Sequence, residues 1–304
     1  MKFILRLLSY LVLILACMQL ASCYGPKKTQ LRHTLDSTKI MMQAETAQLQ
    51  VASQKNQQAF GDERIDTTIN NRIAQRLKKY SSEIDSVNKE IVALEQTLND
   101  PAAFRKNYAD SIKPRLLQLE ASKKENALRL KRFTMLNEAL DISRQNPFDL
   151  AAFFATGKYN IPKENYQQAE QLFLPAIDSL ILFSNKYADV PRTSTLVVNG
   201  YADGQSIDTT SDLYQTLLGY LKKTDAERKQ LNWALSELRA KEISDLLDKL
   251  LKQKKDKFQQ TDKLNFTFYG YGQGETYPSK KIINYREDDE RRRIVLIYWS
   301  VIPD

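Results

Sequence analysis

The sequence predicts an α+β domain in the C-terminal half of the chain, preceded by an all-α region. Residues 31–145 have helical composition, because that stretch contains a single glycine and two prolines. An amphipathic helix is predicted from Leu231 to Leu250, with short apolar stretches on either side of it. Strands and helices then follow in the order β-α-β-(α)-α-β-β, where (α) is an inserted helix, and this order is typical of an α+β sheet.

The first 22 residues have the pattern of a secretory signal peptide. A short basic segment with Lys2 and Arg6 precedes an almost wholly apolar run from Leu7 to Leu20. The run ends in Leu20-Ala21-Ser22-Cys23, which resembles the bacterial lipobox. That resemblance implies that Cys23 carries acyl chains such as palmitate and becomes the mature N-terminus. The alternative is an uncleaved membrane anchor, because the apolar run is nearly long enough to span a bilayer.

The residues after Cys23 bear on where the mature chain would be sorted. By resemblance to Gram-negative lipoprotein sorting, Tyr24 favours the outer membrane, and the lack of a following acidic cluster favours its periplasmic face. Residues 23–30 contain Gly25 and Pro26 and are predicted to form a short tether. Cys17 would leave with the signal peptide, so we expect no disulfide in the mature chain.

Residues 31–145 are predicted to form a coiled-coil spacer of three helical segments, separated at Gly61-Asp62 and at Asn99-Asp100-Pro101. The middle segment carries apolar residues at heptad positions a and d, which we call the seam. The first segment has a poorer seam, interrupted by Thr38 and Glu45, and Pro114 should kink the third. An antiparallel hairpin of the second and third segments and a parallel dimer are both possible. The seam residues are Ile73, Leu77, Tyr80, Ile84, Val87, Ile91, Leu94 and Leu98.

The C-terminal half, residues 147–304, contains one charged residue where an apolar one is expected. Arg239 falls inside the apolar arc of the 231–250 helix, and Asn232 lies on the same line. An arginine there requires an anionic partner, which could belong to the protein or to a ligand. Asp203 is a candidate, since it follows the apolar strand that leads to Gly200. The other predicted elements are a strand from Phe148 to Phe154, a helix from Pro162, a strand Leu264–Tyr269 and a final strand Arg293–Trp299.

Five stretches of this half resemble the OmpA-like peptidoglycan-binding domain, and they occur in that family's order. The helix resembles its N-x-x-L-S-x-x-R-A-x-x-V/I motif, and the strand end at Asp203 resembles its G-H-T-D motif. The five stretches are Phe154–Pro162, Val198–Asp203, Asn232–Ile243, Tyr269–Glu275 and Arg292–Leu296.

The resemblance implies a site for the free end of diaminopimelate in a peptidoglycan stem peptide. Asp203 would accept hydrogen bonds from the ammonium group and Arg239 would bind the carboxylate, with Asn232 and Arg292 as supporting contacts. Arg292 and Arg293 should point to opposite faces of a strand, so that one of them reaches the site. A salt bridge between Asp203 and Arg239 with no ligand is the structural alternative. The sequence departs from the family at Tyr201-Ala202, at Gly157 and in a long insertion, residues 204–231, which could gate or block the site.

Composition and motifs argue against catalysis and against nucleic acid as a partner. The chain has a formal net charge of +8, but the export signal conflicts with nucleic-acid binding. Its single histidine, His33, lies in the first helical segment, and neither a Ser-His-Asp set nor a P-loop is present. We therefore expect no enzyme activity, no cofactor and no metal.

The sequence thus predicts a lipoprotein that tethers the outer membrane to peptidoglycan without a covalent bond. Its partners would be peptidoglycan, the membrane through its lipid, and a protein or a second copy through the coiled coil. One alternative is a coiled-coil subunit of an envelope complex in which wall binding is weak or lost. Another is an inner-membrane, stator-like anchor with an uncleaved N-terminal helix.

Overall fold

The computed structural model describes residues 24–144, 146–149 and 158–304. The chain divides into two compact units, and each is described by itself. The helical unit comprises residues 24–50 and 78–133, and the sheet unit comprises residues 51–77 together with the described part of 134–304. Cys23, the signal peptide and most of the predicted strand Phe148–Phe154 lie outside the described residues.

Seven α-helices and four β-strands are found in the described ranges. The helices are α1 Tyr24–Gly61, α2 Thr67–Asn99, α3 Pro101–Asn107, α4 Lys113–Ile142, α5 Tyr166–Lys186, α6 Asp212–Leu221 and α7 Arg228–Gln253. The strands are β1 Asn146–Asp149, β2 Arg192–Gly200, β3 Leu264–Gly272 and β4 Ile294–Pro303. Short 3-10 turns cover Lys163–Asn165, Lys255–Lys257, Thr261–Lys263 and Glu290–Arg292. Across the described residues, none of the helices has the length and apolar content that a membrane span requires.

The predicted tether is helical where the structure describes it, because residues 24–30 belong to α1. Proline and glycine therefore did not interrupt the backbone here, and residues 24–30 continue into the predicted first helical segment.

The helical unit contains the antiparallel hairpin that was one of the two alternatives for the seam. The rings of Tyr80 on α2 and Phe133 on α4 contact each other edge to face, with centroids 5.2 Å apart. Further along α2 and earlier in α4, Arg115 of α4 binds Glu90 of α2 through its Nη2 atom at 2.7 Å. The contact positions rise along α2 while they fall along α4, so the two helices are antiparallel. The seam is buried except at Val87, which is half-buried.

A π-helical turn, Tyr108–Ile112, ends two residues before Pro114, at the place where a kink was predicted. Pro114 has no N–H to donate to the carbonyl four residues earlier, and its ring would clash with that carbonyl. The wider turn absorbs this defect, and a π-turn is one of the known causes of helix bending.

Arg129 lies between two carboxylates in the helical unit, the buried Glu45 and the partly exposed Glu83. Glu45 is completely buried, and its Oε2 lies 3.4 Å from Arg129 Nη1. Arg129 Nε lies 3.5 Å from Glu83 Oε2. The side-chain amide of Asn126 is buried without a hydrogen-bond partner among the described residues. Burial raises the pKa of Glu45 to about 7, against the opposing effect of the Arg129 charge.

The sheet unit follows the predicted order of elements. Its four strands lie in the order β1-β4-β2-β3, with β2 parallel to β3 and antiparallel to β4. The inserted helix is α6, which occupies part of the 204–231 insertion. It packs on the start of α7. That contact contains Tyr214, Leu217, Leu218, Leu231, Ala234 and Leu235.

Candidate functional site

Asp203 lies just beyond the end of β2, where β3 also ends opposite it. The two residues between Gly200 and Asp203 are held by backbone hydrogen bonds. The Tyr201 N–H donates to the Ile294 carbonyl at 3.0 Å, and the Ala202 N–H donates to the Gly274 carbonyl at 2.8 Å. Asp203 is therefore fixed at the edge of the sheet, and only 7% of its surface is exposed.

Glycines at the ends of β2 and β3 allow α7 to approach this edge closely. A Cβ atom at Gly200 would lie 2.2 Å from the carbonyl oxygen of Ser236. A Cβ atom at Gly272 would lie 2.6 Å from the backbone nitrogen of Glu237. Neither position can accept a side chain without moving backbone, so glycine is required for this contact. The glycines of the two strand motifs thus allow α7 to pack closely against the strand ends near Asp203.

Asn232 connects α7 to the loop that carries Asp203. Its side-chain amide donates to the Asp203 carbonyl at 3.1 Å, to the Gln205 carbonyl at 3.0 Å and to Glu275 Oε1 at 2.8 Å. Asn232 is buried, and these contacts fix the backbone on both sides of the Asp203 side chain. The predicted site residue therefore lies at the site, where it positions the loop.

Asp203 forms an ion pair with Arg293. Arg293 Nε lies 2.5 Å from Asp203 Oδ2, and the Gln205 N–H donates to Asp203 Oδ1 at 3.3 Å. Arg239 is 7% exposed, as its place in the apolar arc predicted, and its guanidinium donates to the Lys158 carbonyl at 3.2 and 3.4 Å.

The charges of Asp203, Arg239 and Arg293 interact with one another. Burial lowers the pKa of Arg239 to about 10; the Asp203 carboxylate opposes this effect and the Arg293 charge adds to it. Arg239 stays protonated near neutral pH. One carboxylate and two guanidinium groups give this charge triad a net charge of +1, which favours a ligand that contributes an anionic group.

The chain was compared with protein-family models, curated proteins and solved structures. No protein-family model matches the sequence. No curated protein matches it either. Two chains of solved structures match. One of them is the crystal structure of the periplasmic domain of MotB (residues 64–256), which is 15% identical, with a TM-score of 0.27. The match covers 53% of this chain and 62% of the MotB chain, so it spans less than two thirds of that domain. A similarity this low carries no conclusion about function.

The hydrogen bonds that Arg292 makes go to backbone carbonyls of the 275–287 loop, and Arg293 is the arginine that binds Asp203. Arg292 Nη1 donates to the carbonyls of Glu287 at 2.8 Å and Arg286 at 3.3 Å, and Nη2 donates to the Glu275 carbonyl. Arg292 ends a 3-10 turn that precedes β4, so the alternation of a strand does not apply to it. It holds the 275–287 loop together, and a role for Arg292 in ligand binding stays a prediction.

Two further residues at this edge were missed by the sequence reasoning. Arg228, at the start of α7, pairs with Glu275 at 3.1 Å and also with Glu287, and its Nη1 donates to the Gly204 carbonyl at 2.6 Å. Glu275 was the last residue of the quoted Tyr269–Glu275 motif, which was the available signal. Together they connect the 204–205 and 275–287 loops, which flank Asp203.

Part of the predicted site lies outside the described residues. Gly157 and the start of the Phe154–Pro162 stretch belong to that part. The described neighbour is Lys158, whose carbonyl accepts from Arg239. The helix α6 packs on one face of α7. Asn232 and Arg239 lie on the neighbouring face of α7. Gating by the insertion stays a prediction.

Proposed function

We propose that this chain is an envelope protein whose sheet unit binds peptidoglycan without a covalent bond. The ligand would be the free end of diaminopimelate in a stem peptide, which carries an ammonium and a carboxylate group on one carbon. Asp203 would accept from the ammonium, and Arg239 would bind the carboxylate. The observation that carries the proposal is the buried Arg239, whose charge interacts with that of Asp203, on a helix that glycines bring to the end of β2.

Arg293 would have to share Asp203 with the ligand. Its side chain is 30% exposed, whereas that of Asp203 is 10% exposed, so Arg293 has room to turn toward solvent. Once displaced, its guanidinium would stay close enough to add a second cation for the carboxylate. Binding would therefore exchange one ion pair for a pair of contacts to the zwitterion, without leaving a buried charge unpaired.

The rest of the chain would set where the wall-binding unit acts. Acylation at Cys23 would anchor it to the outer membrane, facing the periplasm, and the helical residues 31–145 would act as a spacer. The helix α2, with 33 residues, is about 50 Å long at 1.5 Å per residue. The function would be tethering, with no catalysis and no cofactor.

The second candidate function is a subunit of an envelope complex with weak wall binding. Two observations favour it. Asp203 already has a close cationic partner in Arg293. The helical unit also exposes large apolar side chains that a partner could cover, namely Ile40, Val92 and Leu117.

Sedimentation with purified peptidoglycan sacculi separates these two candidates. Asp203→Asn and Arg239→Gln should each reduce the bound fraction of the detergent-solubilised full chain at least about tenfold, because each removes a charged hydrogen bond worth more than ~1.4 kcal/mol. The matched controls are Asp245→Asn and Lys241→Gln. They make the same charge changes at exposed positions of α7.

The controls should bind within about twofold of the unchanged chain, and circular dichroism should show that all four variants are folded. If Asp203→Asn and Arg239→Gln sediment like their controls, the wall-binding site is assigned wrongly. The complex-subunit function would then be the better account.

A further inference from the structure

The strand β3 is an open edge of the sheet. It pairs with β2 along all nine residues, from Leu264 to Gly272, and it is the last strand in the order β1-β4-β2-β3. Most of its residues are half-buried, and Asn265 and Tyr271 are exposed. In the part of the chain that the structure describes, no residue pairs with its outer side. Alternate backbone N–H and C=O groups of β3 are therefore available to another strand.

The usual devices that protect an edge strand are missing from β3. The stretch Leu264–Gly272 contains no charged residue and no proline, although 27% of the whole chain is charged. One edge group is occupied, since the Gly272 N–H donates to a carboxylate oxygen of Glu237. The open part of the edge thus runs from Leu264 to Gly270. An edge of this length without protection is a template for pairing with another chain.

We propose that a second copy of this chain pairs with β3 through its own β3, antiparallel and about a two-fold axis at Phe268. An antiparallel pair of identical strands matches every donor to an acceptor, because the two-fold axis repeats each hydrogen bond. The lack of charge matters here, since any charged residue near the axis would face a like charge on the second copy. This proposal does not depend on wall binding.

The side chains of β3 are complementary to themselves in this register. Phe268 faces Phe268 on the axis, an aromatic pair that stabilises neighbouring strands. On either side, each large residue faces a smaller one. Within the open part the pairs are Phe266 with Gly270 and Tyr269 with Thr267, and at its ends Tyr271 lies opposite Asn265 and Gly272 lies opposite Leu264. No pair places two large side chains opposite each other away from the axis, so the strands can approach to the ordinary spacing of about 4.8 Å.

Side chains on both faces of β3 are held by contacts within the sheet unit. Tyr269 and Tyr271 stack on one face with centroids 6.0 Å apart, and Arg72 donates to the Tyr269 hydroxyl at 2.7 Å. On the other face Phe266 contacts Phe258 edge to face at 5.1 Å. These contacts hold the side chains of β3 in place before a second strand arrives, which reduces the entropy lost on pairing.

Cysteine trapping in intact membranes tests the register. Phe268→Cys places the new thiols of the two copies on the axis, with Cα atoms about 5.5 Å apart, within disulfide range. In Asn265→Cys the two thiols lie six residues apart along the strands, about 20 Å. We expect at least about fivefold more covalent dimer with Phe268→Cys, after subtracting the dimer that the unchanged chain forms through its own cysteines.

Light scattering of the detergent-solubilised full chain gives a second readout that needs no cysteine. The unchanged chain should have the mass of a dimer, and Thr267→Lys should have the mass of a monomer, because it brings two charges within about 8 Å across the axis. Equal trapping at the two positions, a disulfide to a different protein, or a monomeric mass for the unchanged chain would each overturn the proposal.

Discussion

Replacing Gly200 by alanine is expected to destabilise the sheet unit by about 3 kcal/mol or more, and to remove wall binding with it. The added Cβ would lie 2.2 Å from the Ser236 carbonyl oxygen and 3.3 Å from the Ala240 side chain. The first of these atoms belongs to helical backbone, which cannot turn aside as a side chain can. The helix α7 would have to move away from β2, and Arg239 would move with it. Urea unfolding followed by circular dichroism measures the loss.

Gly219→Ala is the matched control. Gly219 lies in α6, and a Cβ atom there would meet nothing within 4 Å. Alanine should therefore stabilise this helix by about 0.5–1 kcal/mol, through its higher helix propensity. If Gly200→Ala unfolds at the same urea concentration as the unchanged chain, the close approach of α7 to the strand end is incorrect.

Replacing Arg129 by methionine is expected to destabilise the helical unit by about 3–5 kcal/mol above neutral pH, because it leaves the Glu45 charge buried without its cation. Arg115→Met is the control, since Arg115 and its partner Glu90 are each one-third exposed. Losing such a pair should cost less than about 1 kcal/mol. Urea unfolding of the full chain at pH 5 and pH 8 distinguishes the two variants.

The sign of the pH dependence follows from the raised pKa of Glu45. Its pKa is about 7 in the folded chain, above its ordinary value of 4.5, so protonated Glu45 favours the folded state. This contribution is fully present below pH 4.5 and is lost as the pH rises through about 7. Arg129→Met should therefore lose less stability at pH 5 than at pH 8. The double variant Glu45→Met with Arg129→Met should remove the difference; if it persists, Glu45 is not its source.

The positions of the main site residues could be predicted because each depends on a local pattern. The period of an α-helix placed Arg239 inside the apolar arc of α7, and the structure buries it there. The apolar strand that leads to Gly200 fixed the place of Asp203 at the end of β2. Both follow from short stretches of sequence, without knowledge of what packs on them.

Features that depend on distant residues were not predicted. The weak seam of the first helical segment gave no reason to expect Glu45 to face Arg129, which is 84 positions further along the chain. Their contact explains why a charged residue interrupts that seam. The pairing of Asp203 with Arg293 has a local cause instead, since a 3-10 turn ends at Arg292 and shifts the start of β4. Strand alternation cannot show where the strand begins.

Calorimetric titration with two synthetic stem peptides tests the central claim most directly. One peptide ends in diaminopimelate, and the other has lysine at that position, which keeps the ammonium group and lacks the second carboxylate. The full chain should bind the diaminopimelate peptide at least about tenfold more tightly, because only that peptide carries a carboxylate for Arg239 on the same carbon as the ammonium group that Asp203 binds. Arg239→Gln should abolish the preference. Equal affinity for the two peptides, or no binding of either, would contradict a site built from Asp203 and Arg239.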